Sequence, residues 1–276
     1  MIQLNPEIIS AQASSNLSTW QNEVNAEQTF PRQVSTAKRL WGNKNRRGNA
    51  TFDEVKRRLT SMCSGVRRCC YCEDSMADEV EHIYPKDIYP SMVFSWDNYL
   101  YACGLCNGPK NNKFAIFRHT DGVFEEVTPA RNTIPTPPTP GNAVLLNPRI
   151  ENPMNSIILD IIGTFFFEEL PVEGTPEYRR AKYTISLLKL NDRDLDEARR
   201  NAFENYISRL SRYVTRRDAA APQAELDRII DGIKTEAHPT VWHEMKRYFI
   251  DFNQSVRQHL AELWHLFDQA PEALNW

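Results

Sequence analysis

The first thirty residues contain no lysine or arginine, nowhere do eighteen apolar residues follow one another, and no segment repeats at a fixed period. The missing apolar run excludes a helix that spans a bilayer. "MIQLNPEIIS" has neither the basic start nor the apolar stretch of a secretory leader, so the expected location is the cytoplasm. Gly-rich loops that cradle nucleotide phosphates are absent too, and the chain is not expected to consume ATP itself. Cysteine is sparse, six in 276 residues, yet five of the six fall in two tight clusters. In a reducing compartment that distribution argues against a disulfide framework and for metal binding or catalysis.

What is present is an ordinary globular balance, 41 % hydrophobic and 25 % charged, enough for one large domain or two modest ones. The net charge of −3 hides a local asymmetry: residues 31–70 hold eleven Lys and Arg against two acids. Arg32, Lys38, Arg39, Lys44, Arg46, Arg47, Lys56, Arg57, Arg58, Arg67 and Arg68 face only Asp53 and Glu54. Such an excess is what a phosphate-contacting surface needs, the alternative being a solvated helical face or a protein-protein surface.

Ile8, Ile9, Leu17, Trp20 and Val24 recur at helical spacing and predict an N-terminal helix. A second helix is expected over "NATFDEVKRRLTSMCSG", with Thr51 and Glu54 as a capping box, Gly65 as the stop, and Met62 and Cys63 as packing residues. Residues 66 to 114 break into short pieces, "EHIYP" and "NYLYAC", that suit strands. Residues 129 to 153 hold seven of the seventeen prolines and predict a connector. "SIILDIIGTFFFEEL" suits a hairpin turning at Gly163, with a buried helix segment as the alternative. Three helices follow, one capped by Asn191, one opened by Pro222 and one opened by Pro239. The last carries a stripe of Trp242, Met245, Phe249, Phe252, Val256, Leu263 and Leu266, with His259 in its polar slot, to be covered by this chain or by a partner. The expected domains are a helical region with the basic segment (1–65), a metal-stapled core (66–128), the Pro-rich connector (129–153) and a helical domain (154–276).

Cys69 and Cys72 form one C-x-x-C, and Cys103 and Cys106 form another thirty residues on. Zinc takes four thiolates in a tetrahedron, and each C-x-x-C offers two from one tight turn, so a structural zinc site is expected. Cys70 is able to replace Cys69 in that set, or to pack. A thioredoxin-like redox pair would leave the second C-x-x-C unexplained.

Between the pairs lies "EVEHIYPKDIYPSMVFSWDNYLYAC", and "CNGPKNNK" runs on from the second. An acid-His-Ile-x-Pro, an Asn-bearing strand and a C-x-x-C-N-x-x-K in this order resemble the HNH nucleases in their zinc-stapled ββα-metal form, over roughly residues 66 to 114. The implied fold is α+β and mostly helical, a small zinc-stapled nuclease unit flanked by N-terminal helices and a C-terminal helical domain. The chemistry agrees with the resemblance, since phosphodiester hydrolysis needs an activated water and a cation to offset charge on the phosphoryl group. His82 is the candidate general base. Glu81 and Asn107 offer oxygen to a magnesium or manganese ion. The resemblance assigns Asn98 to holding the histidine loop and Lys110 to a phosphate; Arg67, Arg68 and Lys113 are further candidate nucleic-acid contacts. Glutamate stands where many members have aspartate, and asparagine where many have the last histidine.

"VEHIYPK", "FSWDNYLYACGLCNGPKNNKF", "LLNPRIENP" and "TISLLKLNDRDLDEAR" together resemble the PtuB family, the HNH nuclease subunits of Septu-type anti-phage systems, also found beside some retrons. That resemblance implies an ABC/SMC-type ATPase partner (PtuA-like), a nucleic-acid substrate, DNA or RNA, and no membrane. The alternative is a zinc-stapled interaction or nucleic-acid-binding module without chemistry of its own.

Overall fold

A computed structural model describes residues 1–128, 133–192, 194–251 and 257–276. The N-terminal layer is three helices. Helix α1 (Ala11–Asn25) starts where the Ser10 side chain accepts from the Ala13 N–H, and it buries Ala13, Leu17, Trp20 and Val24 on one face. Helix α2 (Phe30–Lys44), unexpected within the basic segment, has Pro31 in its first turn and buries Val34, Ala37 and Leu40. Helix α3 (Ala50–Met62) is capped by Asn49, whose Oδ1 accepts from the Phe52 N–H. The expected capping box is therefore replaced: Glu54 accepts from the Ser10 N–H and hydroxyl, and the Thr51 hydroxyl accepts from Asn16.

Strands β1 (Glu79–His82) and β2 (Tyr99–Ala102) pair antiparallel, with Glu81 opposite Leu100 and His82 opposite Tyr99. Helix α4 (Gly104–Lys110) follows at once, so the segment has the order strand, strand, helix. A three-stranded sheet comes next, with β3 (Ala115–Arg118) between β4 (Phe124–Glu126) and β5 (Gly141–Ala143). Of the expected Pro-rich connector, residues 129–132 lie outside the described residues; the rest supplies β5 and the buried Val144, Leu145 and Leu146.

The expected hairpin is present as β6 (Ile157–Leu159) and β7 (Phe167–Glu169). Asp160 holds the turn, accepting from the N–H groups of Ile162, Gly163 and Thr164. Helix α5 (Pro176–Leu187), not anticipated, is capped by Thr175. Helix α6 (Leu195–Asp218) begins after Asp194, and the expected cap Asn191 instead clasps Phe167 through both its N–H and its carbonyl; Arg193, in that stretch, lies outside the described residues. Helix α7 (Gln223–Lys234) follows Pro222, and α8 (Pro239–Asp251) starts at Pro239. The expected single long helix is broken: a turn at residues 258–260 precedes α9 (Ala261–Gln269).

The apolar stripe is covered by this chain. Trp242 stacks on Tyr206, Phe249 packs on Trp264 and Phe267, and Met245, Leu263 and Leu266 are buried; Phe252 and Val256 lie outside the described residues. One connected core of buried apolar side chains runs from Leu17 and Trp20 through Phe52 and Tyr99 to Tyr206 and Trp242. No helix among the described residues is long and apolar enough to cross a membrane.

Candidate metal centre and histidine cavity

The β1–β2 hairpin and α4 carry two sites, one at each end. At the first, Cys69, Cys72, Cys103 and Cys106 are all buried and bring their sulfurs within 4.8 Å of one another. Two turns build this cluster. Cys69 N–H donates to Ser75 O and Glu73 N–H to Cys69 O, with Arg67 and Glu73 in the left-handed region; Cys103 sits at the N-cap of α4, where Cys106 N–H donates to its carbonyl. Hydrogen bonds from Cys106, Cys69 and Cys72 hold the Cys103 thiol well below the usual range. Four thiol ligands in one dry pocket are a donor set that could hold a zinc ion. Cys69 is the member of the 69/70 pair in the cluster, while Cys70 turns its sulfur to Cys63, 3.9 Å away.

The second site is a cavity of about 260 Å³ whose walls include Glu79, Glu81, His82, Lys86, Asn107 and Trp41. His82, Glu81 and Asn107, selected from the sequence, thus share one cavity. His82 is buried among aromatic rings, with Trp41 of α2 at 4.2 Å and Tyr99 at 5.3 Å between ring centroids. That burial pushes its pKa down to about 3, so the imidazole is neutral near pH 7. Nε2 lies 3.0 Å from Val93 O. A carbonyl oxygen only accepts, so Nε2 carries the ring proton and Nδ1 keeps its lone pair.

The loop that presents Val93 O is itself braced. Asn98 is buried beneath it and makes three bonds to the backbone: Oδ1 accepts from Tyr84 N–H at 2.7 Å, and Nδ2 donates to Tyr84 O and Met92 O, each at 3.0 Å. From α1, Gln21 accepts from Phe94 N–H and donates to Pro90 O. Arg149 supports the far strand, donating to Tyr99 O at 2.9 Å while stacking on Trp96.

Lys110, expected at a phosphate, is fully buried: its ammonium pairs with Glu81 Oε1 and donates to His82 O at 2.7 Å. Burial pushes the Glu81 carboxyl up, and Lys110 opposes that rise. Asn107 donates from Nδ2 to Glu79 Oε2 at 2.6 Å, which leaves its amide oxygen as an acceptor. Carboxylate and amide oxygens on Glu79, Glu81 and Asn107 are donors that a hard divalent ion takes, so the chemistry fits magnesium or manganese, although Lys110 competes for Glu81.

Arg67, Arg68 and Lys113 do not line this cavity. Arg67 donates to Met76 Sδ and Arg68 to Asp74 O, and Lys113 faces a separate pocket beside Tyr183. Lys86, Glu79 and Trp41 do line it and were missed. Glu79 had a signal, since strand residues i and i+2 share a face and place it beside Glu81. Helix α2, which supplies Trp41, carries exposed Arg32 and Arg39, and Arg46 and Arg47 in the turn after it are exposed as well.

Over 68 residues the chain is 38% identical to the Septu protein PtuB of Bacillus thuringiensis. The match covers 23% of this chain and 26% of that protein, so it spans about a quarter of the relative. No protein-family model matches the chain, and no solved structure matches it.

Proposed function

We propose that the chain is a metal-dependent endonuclease of the HNH kind that hydrolyses phosphodiester bonds of DNA or RNA. It works in Septu-type anti-phage defence beside an ABC/SMC-type ATPase (PtuA-like). The observation that carries this reading is the pinned, neutral His82 in a cavity shared with Glu81 and Asn107. His82 Nδ1 takes the proton from the attacking water, while the Nε2–H bond to Val93 O fixes the ring and gains strength as the imidazole becomes charged. A magnesium or manganese ion held by oxygens of Glu81 and Asn107 supplies the charge that offsets the phosphoryl oxygens when bound. Asn98 keeps the histidine loop in place, and Lys86 with the exposed arginines near α2 draws the phosphate backbone toward the cavity. Zinc on Cys69, Cys72, Cys103 and Cys106 is structural.

Cleavage of DNA, RNA and tRNA by the full chain, with and without the co-expressed ATPase and with magnesium or manganese, tests this. His82→Ala is expected to lower the rate by about 10²–10⁴-fold with metal content and folding intact. Equal cutting by wild type and His82→Ala overturns the assignment of the base.

A non-catalytic zinc-stapled module is favoured by one observation, the commitment of Glu81 to Lys110 and of Asn107 to Glu79. On that reading a manganese-soaked crystal holds no ion between Glu81 and Asn107, and no preparation cuts.

A further inference from the structure

The four-sulfur cluster leaves two cysteines over. Cys63 ends α3, where its Sγ lies 3.3 Å from Leu59 O, and it is half-buried. Cys70 is buried in the cysteine turn, its N–H donating to Tyr101 O of β2. Their sulfurs lie 3.9 Å apart, although the residues belong to different elements. Both border a cavity of about 290 Å³ between the end of α3 and the segment joining α7 to α8, as does Cys69; of the three only Cys63 is half-buried and not buried, so a small oxidant reaches Cys63 first. Because adjacent residues of the turn point opposite ways, Cys69 serves the cluster and Cys70 faces Cys63.

We propose that Cys63 and Cys70 are a second thiol pair, converted to a disulfide by a hydroperoxide without drawing on the four clustered sulfurs. The half-buried Cys63 sulfur attacks one peroxide oxygen; the O–O bond breaks, the leaving oxygen takes the thiol proton and departs as an alcohol, or as water where the oxidant is hydrogen peroxide, and Cys63 becomes a sulfenic acid. Cys70 then attacks the Cys63 sulfur; the S–O bond breaks, the S–S bond forms, and the hydroxyl leaves as water with the Cys70 proton. Two thiols are oxidised by two electrons, and one hydroperoxide is reduced. The bridge ties α3, whose Phe52 packs on Trp41 beside His82, to the turn that carries Cys69 and Cys72. It is a covalent clasp between the N-terminal helices and the hairpin, and it does not depend on the nuclease reading.

The test titrates the purified full chain with hydrogen peroxide and follows disulfide pairing by mass mapping of unreduced digests, with metal content measured at each step. The first disulfide is expected to join the Cys63 and Cys70 peptides, with loss of two hydrogens and no release of metal. In Cys70→Ser the bridge is lost, and Cys63 stops at a sulfenic acid that dimedone captures. A first bridge involving Cys69, Cys72, Cys103 or Cys106, release of metal before any bridge forms, or Cys63 left unpaired throughout overturns the proposal. Wild-type mapping decides the matter even where Cys70→Ser does not fold.

Discussion

The two ends of the β1–β2 hairpin are held by different chemistry. At the cysteine end, four thiols from two local turns converge within 4.8 Å, and Glu73 of the first turn accepts from the Ile2 N–H and from the Thr240 N–H and hydroxyl. At the histidine end, each polar atom is placed by a partner from a distant segment: His82 by Val93 O, Tyr84 by Asn98, Glu81 by Lys110, and the Val93 loop by Gln21 of α1. A zinc ion on the four sulfurs would concentrate that end's stability in one removable ion. A hydrogen-bonded end distributes it over many contacts, each worth about 1 kcal/mol net but costly to break one-sidedly.

Metal removal is expected to have the largest effect. Structural zinc in small domains contributes about 10–16 kcal/mol of apparent binding energy near pH 7. A strong chelator is therefore expected to collapse the cysteine turns and, through the connected core, lower the melting temperature of the whole chain, with zinc alone restoring it. An unchanged melting curve after complete metal loss would show that the core, and not the ion, holds this end.

The next largest effect belongs to Lys110. Truncating it as Lys110→Met leaves the Glu81 carboxylate buried without its counter-ion, which in other buried pairs costs about 3–5 kcal/mol. Urea unfolding should show that loss, and Glu81→Gln added to Lys110→Met should recover part of it. If the single variant unfolds at the wild-type midpoint, Glu81 is not charged in the folded protein.

The cysteine end was legible from the sequence because its information is local: two C-x-x-C pairs report two turns, whatever surrounds them. Only direction was missing, since spacing alone does not choose between Cys69 and Cys70. His82, Glu81 and Asn107 were legible as a motif, but their partners were not. Lys110 reads as a phosphate contact until its carboxylate is found on the neighbouring strand. Trp41 reads as one more residue of a basic stretch until α2 folds onto His82. Helices α2 and α5 did carry local signals, Pro31 in a first turn and Thr175 before Pro176. The cap of α3 is Asn49, and Glu54 is held instead by Ser10 of another segment.

A smaller effect separates a placed loop from a merely folded one. Asn98→Ala strips the Tyr84 N–H of its acceptor and the Tyr84 and Met92 carbonyls of a donor, at about 1–3 kcal/mol for the stranded buried donor. Because that loop leads to Val93 O, the proposed nuclease reading expects cutting to fall by more than the loss of stability explains, measured on protein that is still fully folded. Cutting in simple proportion to the folded fraction would mean that Asn98 only stabilises.

The mildest probe is pH, and the difference between wild type and His82→Gln isolates its action on the histidine end. His82 has a folded pKa of about 3 against an ordinary value of 6.5, because burial disfavours its charged form. Between those values the unfolded chain binds a proton at this residue that the folded chain does not, so stability rises with pH across the window and is lost as pH falls below about 6.5. Below about 3 both states are protonated and the slope from this group disappears. The slope is at most about 1.4 kcal/mol per pH unit, or about 2 kcal/mol between pH 6.5 and pH 5. His243, pushed down to about 4 by burial, acts with the same sign, and Glu244, pushed up to about 7 by burial, acts with the opposite one. Both effects are common to wild type and His82→Gln, as are those of carboxylates such as Glu73 and Asp74, whose lowered values act at more acid pH. Urea midpoints at pH 6.5 and pH 5 should therefore fall further for wild type than for His82→Gln. Parallel losses would mean that water already reaches the ring, and that the aromatic wall built by Trp41 and Tyr99 does not keep the imidazole dry.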